Sequence, residues 1–438
     1  MTAPGLFSVL PRSAVDDAAG HLTIAGCALA EVAAAAGTPA LVIDEQELRL
    51  AAREYRQAFE SRRPGTSIYF ASKALSCSAV IAVMASEGLG CDVSSAGELA
   101  IALAGGMPGE RILMHGNAKR DVDLSAALDA GVGLIVIDSL DELDRLVRLL
   151  EARRPSRPQR VLLRVNPGVS APTHAAMVTG DEASKFGLGI DALRVAAGRV
   201  AACDRLALDG LHVHIGSQIT DLEPFTRSVE ALGSAGIDLG AVIDLGGGLG
   251  VRYLPEDPPP PSTDAYAAAM TDAAQRALPA AARLIFEPGR SLVARAMVTV
   301  YRVVSVKRGA RTFVSVDGGM ADNLEPMMYG TPFAPFVLDS GRPAEPCDVV
   351  GPHCETGDRL VEGWPLAGPR VDDLMVVPMT GAYCYALANN YNGALRPPVV
   401  MCSEGRARVV QRRETLDDLL ARNADQELRL PVAERIGS

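Results

Sequence analysis

Residues 242–250 read VIDLGGGLG. The first few form a short run, apolar on both faces, that breaks at once into glycines. A fully buried parallel strand running into a tight turn has this texture. Seven further runs share it: SIYFA (67–71), GCDV (90–93), RILMH (111–115), LIVID (134–138), VLLRV (161–165), LHVHI (211–215) and RLIFE (283–287). Helical stretches separate them. Ser95-Ala96-Gly97-Glu98 and Ser139-Leu140-Asp141-Glu142 each fit the S-x-x-E capping box just after a strand. Eight β/α units predict an α/β fold, a TIM-type (β/α)8 barrel of about 250 residues.

The flanks differ in texture. From Ser291 onward, MVTVYRVVSVKR and TFVSVDGG alternate apolar and polar residues at period two, and short β-like runs continue to about residue 411. A helix-like ETLDDLLARN follows (414–423). This predicts a second, all-β C-terminal domain, a sandwich or barrel, with a helical tail. Ahead of the barrel lies an alanine-rich helix, ALAEVAAAAG (28–37). The expected division is 1–38, packing on the β domain; 39–290, the barrel; and 291–438, the β domain. The proline-rich LPEDPPPPST (254–263) reads as a loop.

Composition narrows the function classes. The chain has 438 residues, 42 basic and 53 acidic, for a net charge of −11. Such a surface repels phosphate backbones, so no nucleic-acid partner is expected. No stretch approaches the roughly 20 apolar residues of a membrane helix, and no basic-then-apolar leader opens the chain. A cytoplasmic protein without a membrane role is expected. The eight cysteines are scattered with no C-x-x-C pair, which supports neither a metal site nor a disulfide framework.

Barrels of this kind carry chemistry at the C-terminal ends of their strands. The eight ends read Lys73, Asp92, His115, Asp138, Arg164, His214, Gly246-Gly247-Gly248 and Glu287. Polar or flexible residues at one end of every strand define one site. Gly246-Gly247-Gly248-Leu249-Gly250 lets backbone N–H groups approach an anion, and Glu287-Pro288-Gly289-Arg290 adds donors and a guanidinium. A lysine at a buried strand mouth suits Schiff-base chemistry, because desolvation lowers its pKa. Lysine, phosphate cradle and carboxylate together indicate pyridoxal 5'-phosphate. Glu287 would pair with the pyridine nitrogen and keep the ring an electron sink.

YFASKA (69–74), HGNAK (115–119), KFG (185–187), HVHIGSQ (212–218), DLGGGLG (244–250), EPGRS (287–291), VDGGM (316–320), CETGD (354–358) and GAYCYAL (381–387) occur in this order. In these motifs the sequence resembles the diaminopimelate decarboxylase family, within the barrel-fold group that includes ornithine and arginine decarboxylases. The resemblance runs from about Gly37 to Asn423. It implies that Lys73 carries the cofactor covalently and that His214 stacks on its ring. Ser217, the glycines through Gly247 and Gly248, and Gly289-Arg290 would hold the phosphate, with Tyr383 adding a phosphate or substrate contact. It implies a homodimer with shared sites, in which Cys354 and Glu355 enter from the partner subunit and Cys354 protonates Cα after CO2 leaves. The implied reaction is decarboxylation at Cα in lysine biosynthesis, from meso-diaminopimelate to L-lysine.

One motif departs from the family. The substrate loop usually reads like DNPRP…Y, with an arginine on the distal carboxylate. Here it reads Asp322-Asn323-Leu324-Glu325-Pro326-Met327-Met328-Tyr329, which keeps Tyr329 but puts Glu325 at the arginine position. Glutamate repels the group that arginine binds. Four readings stand open: a modified or carrier-linked amino acid, a distal amine recognised by Glu325, another arginine in compensation, or a Glu325 that points to solvent. Two rival classes would differ in their residues. A racemase-like enzyme would carry an arginine in place of Glu287. A non-catalytic relative acting as a binding protein would have lost Lys73, Cys354 or the cradle.

Overall fold

The computed structural model describes residues 4–18, 20–168, 177, 184–236 and 240–426. Eight parallel strands close into a barrel. They are Ser67–Ala71, Gly90–Val93, Ile112–Met114, Leu134–Ile137, Gln159–Arg164, Leu206–His212, Val242–Asp244 and Arg283–Phe286. The last pairs with the first through Ile285↔Ser67 and Phe286↔Ile68. Seven strands fall on the predicted runs. The sixth starts earlier, at Leu206, because the polar Asp209 and a register shift between Leu208 and Gly210 interrupt its apolar pattern.

Alternation of side chains along each strand builds the site. Leu113, Leu134, Val136, Leu162, Val242 and Ile285 form an apolar cluster inside the barrel. Their neighbours Ile112, Met114, Ile135, Ile137, Leu163, Ile243, Leu284 and Phe286 belong to the larger core, which also holds the helices' buried faces. Two residues beyond an inward position, the chain points inward again. That step carries Leu113 to His115, Val136 to Asp138, Leu162 to Arg164, Val242 to Asp244 and Ile285 to Glu287. The polar layer therefore sits one storey above an apolar plug. Each large side chain fully buried in such a core contributes about 1.5–3 kcal/mol.

Half of each predicted capping box forms. Ser95 Oγ accepts from Glu98 N and Ser139 Oγ from Glu142 N, both at 3.2 Å. The two glutamates turn elsewhere. Glu98 accepts from Ser94 and Ser76, and Glu142 pairs with the buried Lys119 at 2.8 Å.

The domain boundary at residue 39 needs correction. Ala40–Asp44 is fully buried and looks like a barrel strand in sequence. It lies instead in the second sheet, antiparallel to Met297–Arg308 and parallel to Val399–Ser403. The barrel has no opening for it, since its own first and last strands pair. Asp44 then caps the helix Glu45–Glu60, which enters the barrel layer. The second sheet runs in the order Arg359–Ala367, Ala344–Val350, Thr312–Val316, Met297–Arg308, Ala40–Asp44, Val399–Ser403 and Arg406–Gln411, with Leu374–Val377 and Phe336–Val337 attached beside Met297–Arg308. The helix Leu29–Ala36 and the small sheet Leu22–Ile24 and Cys27–Ala28 cover its apolar face, burying Leu22, Ile24, Leu29 and Val32 against Val42, Val298, Val300, Val376 and Val400. The tail helix is Leu416–Leu420; residues 427–438 lie outside the described part.

The two domains meet at the end of the barrel. Gly381 N donates to Ala294 O at 3.1 Å, and a Cβ at Gly381 would lie 1.7 Å from Val293 O. Backbone cannot yield to that overlap. Gly381→Ala is expected to cost at least about 3 kcal/mol in chemical denaturation.

Asp322 supplies a pH test inside the second domain. It is buried, accepts from Tyr301 OH and Gly319 N, and burial pushes its carboxyl from 3.8 up to about 7. A carboxyl raised in the folded state favours folding while protonated, and that contribution is lost as pH rises through the window from 3.8 to about 7. Thermal melting of wild type and Asp322→Asn should therefore diverge across this window, with the asparagine variant gaining, and run parallel above it.

Candidate active site

A cavity of about 260 Å³ opens at the C-terminal mouth of the barrel. Lys73, Asp92, His115, Arg164, His214, Ser217, Gly248, Glu287, Gly289, Arg290 and Tyr383 line it, so most of the sequence-predicted ring gathers there. Lys73 stands in the turn Ser72–Ala74 that follows the first strand. Ala71 N donates to Pro288 O at 3.1 Å, and Tyr383 N donates to Ala74 O at 2.7 Å. Both flanks of the lysine are thus pinned. The expectation that desolvation lowers its pKa is not met. Burial does pull it down, but Tyr383, Asp92 and Glu287 outweigh burial and leave the ammonium above its ordinary value.

Glu287 forms the floor. Its Oε1 lies 2.5 Å from His115 Nε2 and its Oε2 lies 3.3 Å from His212 Nε2. The two imidazoles meet edge to face, with centroids 4.7 Å apart. Burial alone would raise Glu287; His115 and His212 outweigh it and hold the carboxyl well below its usual range. Asp244 is pushed the other way, first by burial and then by the charge of Glu287. Its Oδ1 accepts from Gly246 N at 2.9 Å. Asp92 is lifted to about 6, again by burial first, with His115 opposing.

His214 stands on the wall. Its Nδ1 accepts from Gly247 N at 3.2 Å, which fixes a neutral ring. Burial and then the charges of Lys73 and Arg164 hold it well below the ordinary histidine range. The same bond corrects the reading of the glycine run. The Gly247 amide serves His214, and the Gly246 amide serves Asp244, so neither is aimed at an anion. Gly248 does line the cavity. A Cβ there would lie 2.4 Å from Gly216 O, at a φ of +122°.

Arg290 is buried beside Ser217, Gly248 and Gly289. Its Nε reaches Ser217 Oγ at 3.4 Å, it donates to Tyr253 OH, and its guanidinium lies 4.7 Å from the centroid of Tyr383. Glu325 sits behind it rather than on the cavity wall. Glu325 is 0% exposed, accepts from Thr331 Oγ1 and pairs with Arg290 Nη2 at 3.5 Å. The solvent-facing reading of Glu325 is therefore wrong. Tyr329 is half-buried on the same short helix, Glu325–Tyr329. Cys354 and Glu355 do not line this cavity. They stand exposed on a loop of the second domain, Cys354 N on Asn392 Oδ1 at 3.1 Å and Glu355 Oε1 accepting from Tyr391 OH at 3.0 Å.

Sequence reasoning missed Ser94, Glu98, Asn117, Phe186, His212 and Asp244. A signal existed for two of them. His212 precedes His214 by two, and Asp244 precedes Gly246 by two, so each shares its partner's inward face. Glu98 read only as a helix cap, and Phe186, with Arg164 over its ring at 4.4 Å, follows a stretch with no strand pattern.

The cavity fits pyridoxal phosphate on its own terms. Lysine can bond an aldehyde, the floor carboxylate can face a protonated ring nitrogen, and Ser217 and Arg290, lining the cavity beside Gly248 and Gly289, offer a hydroxyl and a guanidinium to a phosphate. An enzyme that binds this cofactor through a barrel lysine is the class that fold and site define. Residues 45–294 match the family model described as pyridoxal-dependent decarboxylase, pyridoxal binding domain. A diaminopimelate decarboxylase of Actinosynnema pretiosum subsp. auranticum is 47% identical over 416 residues, 92% of each chain. That of Mycobacterium tuberculosis is 41% identical over 440 residues, 94% of this chain and 97% of the other. Among solved structures, the diaminopimelate decarboxylase of M. jannaschii in co-complex with L-lysine superposes with a TM-score of 0.86 at 29% identity, covering 95% of this chain and 98% of that one. The Helicobacter pylori enzyme complexed with L-lysine gives 0.83 at 30% identity, over 90% and 98% of the chains. The chain belongs to the diaminopimelate decarboxylase family and is a pyridoxal-phosphate-dependent carboxy-lyase. No helix among the described residues is long and apolar enough to cross a membrane.

A Cβ at Gly248, pressing on the Gly216 backbone, would shift this wall and so tests it. Gly248→Ala should weaken cofactor binding by the apoprotein at least about tenfold in a fluorescence titration, a loss of about 1.4 kcal/mol.

Proposed function

We propose that this enzyme decarboxylates, at Cα, an amino acid of the diaminopimelate type whose distal end carries no free carboxylate. The observation that carries this reading is the burial of Glu325 and its bond to Arg290. In the family pattern the loop brings an arginine to the substrate's distal carboxylate. Here the loop brings a glutamate, and that glutamate neutralises the nearest cation. A free distal carboxylate would have to break a buried pair, at a cost of about 2–5 kcal/mol. A distal ammonium fares no better, since both oxygens of Glu325 are engaged. A neutral or masked distal group meets neither penalty.

The remaining roles are those that the resemblance to the family implies, carried onto the residues of this site. Bound pyridoxal phosphate supplies the electron sink that lets the Cα–carboxylate bond break. Lys73 would hold the cofactor through its amine. His214, a neutral ring on the cavity wall, would pack against the cofactor without competing for its charge. Ser217, Gly248, Gly289 and Arg290 hold the phosphate, and Tyr383 closes that wall. Glu287 meets the ring nitrogen. Cys354 and Glu355 lie on an exposed loop, so a second copy of the chain is the means by which they reach a cavity. In such a homodimer Cys354 delivers the proton to Cα, and Tyr329 and Glu355 border the substrate. The reference reaction is meso-diaminopimelate to L-lysine.

The test is a CO2-release panel of meso-diaminopimelate, its distal mono-amide, lysine and ornithine, run on wild type and Glu325→Arg. Wild type should prefer the mono-amide by about 30-fold or more in kcat/KM, the lower end of the pair-breaking cost. Glu325→Arg should invert that order. Equal or better turnover of meso-diaminopimelate by wild type overturns the reading.

A further inference from the structure

Glu287 has more partners than a ring nitrogen requires. Its two oxygens offer about four acceptor positions. His115 Nε2 approaches one oxygen at 2.5 Å and His212 Nε2 the other at 3.3 Å. Asp244 stands in the same cluster, with one oxygen of each carboxylate and one nitrogen of each imidazole all within 4.8 Å. An imidazole nitrogen lone pair facing a carboxylate oxygen would be repelled, so each Nε2 carries a hydrogen and donates. His212 is 1% exposed, and burial drives it down to about 3, so it donates as a neutral ring. The Asp244 carboxyl, pushed up by burial and by the charge of Glu287, stands beside them. Two imidazole donors leave acceptor capacity on the carboxylate.

A carboxylate that accepts two or three hydrogen bonds becomes a much weaker base. A proton shared between such a carboxylate and a pyridine nitrogen rests on the nitrogen. His212 is the part of this arrangement that has no other duty. It sits on the strand Leu206–His212 in register with Arg164 and Asp244, and lines the cavity beside Glu287.

We propose that His212 is a positioning residue that, by donating Nε2–H to Glu287, keeps this carboxylate ionised and so keeps the cofactor's ring nitrogen protonated. The inference rests on Glu287 meeting that nitrogen. It makes the imidazole pair, rather than the carboxylate alone, the device that sets the ring's electron demand. His212→Gln places an amide N–H where Nε2 was and should preserve the effect. His212→Leu keeps bulk and removes the donor.

The experiment reconstitutes wild type and both variants with pyridoxal phosphate labelled with nitrogen-15 in the ring, and reads the ring-nitrogen resonance across pH. Wild type and His212→Gln should show the pyridinium position. His212→Leu should move toward the neutral position, with kcat lower by at least about tenfold and KM little changed, the scale seen when an outer hydrogen-bond partner is removed. A pyridinium signal in His212→Leu equal to wild type overturns the proposal, as does a His212→Gln that behaves like His212→Leu. A neutral ring in wild type itself would instead remove the reading of Glu287. If His212→Leu does not fold, infrared difference spectra of wild-type apoprotein against Glu287→Gln decide. A protonated Glu287 band appearing above the ordinary glutamate pKa of about 4.3 overturns the proposal, and an ionised carboxylate there upholds it.

Discussion

A charged carboxylate at the floor of a closed barrel has to be compensated from within, because water reaches it only through the mouth. Glu287 is 7% exposed, and its neighbours show what compensation entails. Two imidazoles donate to it, and the carboxyls of Asp244 and Asp92 are both pushed up by burial and by its charge. Arg164, itself anchored on Asp138 at 3.5 Å, adds positive field from the side. Moving any one of these strands by one residue would turn its polar group outward into the helix layer. The register of the barrel and the ionisation of Glu287 are therefore one constraint, met by the period-two alternation of the strands.

This constraint explains what could be read in the sequence. The strand ends were legible because polarity appears abruptly after apolar runs: Lys73 after SIYFA, Asp138 after LIV, Glu287 after RLIF. His212 and Asp244 were hidden because each lies within a run and looks like its interruption, not its end. The boundary at residue 39 fell too early for a related reason. A five-residue apolar strand carries no mark of which sheet it joins, and only barrel closure assigns it to the other. The half-formed capping boxes show the same limit, since S-x-x-E fixes the serine's bond but not where a long glutamate side chain goes. The direction of the Lys73 shift was out of reach as well. Burial was visible in the sequence, whereas the three opposing groups come from three different segments of the chain.

The Glu325–Arg290 pair acts at the opposite wall by the reverse logic. There a buried cation, not an anion, needs compensation, and an arginine at position 325 would leave two guanidiniums facing one another until an anionic ligand arrived. Glutamate relieves that repulsion permanently. Under the proposed function, one substitution turns a wall that waits for a carboxylate into one that is already satisfied. A pocket of this kind gains stability without ligand and loses its grip on the anionic end of a substrate.

Lys73 ties both walls to the fold. On one side Ala71 is bonded to Pro288, next to the floor carboxylate and across the seam where the barrel closes. On the other, Ala74 accepts from Tyr383, whose loop comes from the second domain and whose φ of +63° is left-handed for a non-glycine residue. That loop is seated by Gly381 against Val293 and Ala294, at the very end of the segment that matches the pyridoxal-binding family model, 45–294. A β domain that loosened from the barrel would release Tyr383, then the turn that carries Lys73, while leaving Glu287 and its histidines in place. The floor of the site belongs to the barrel alone, but the lysine belongs to the joint between domains, and under the proposed role of Lys73 the hold on the cofactor is only as firm as that joint.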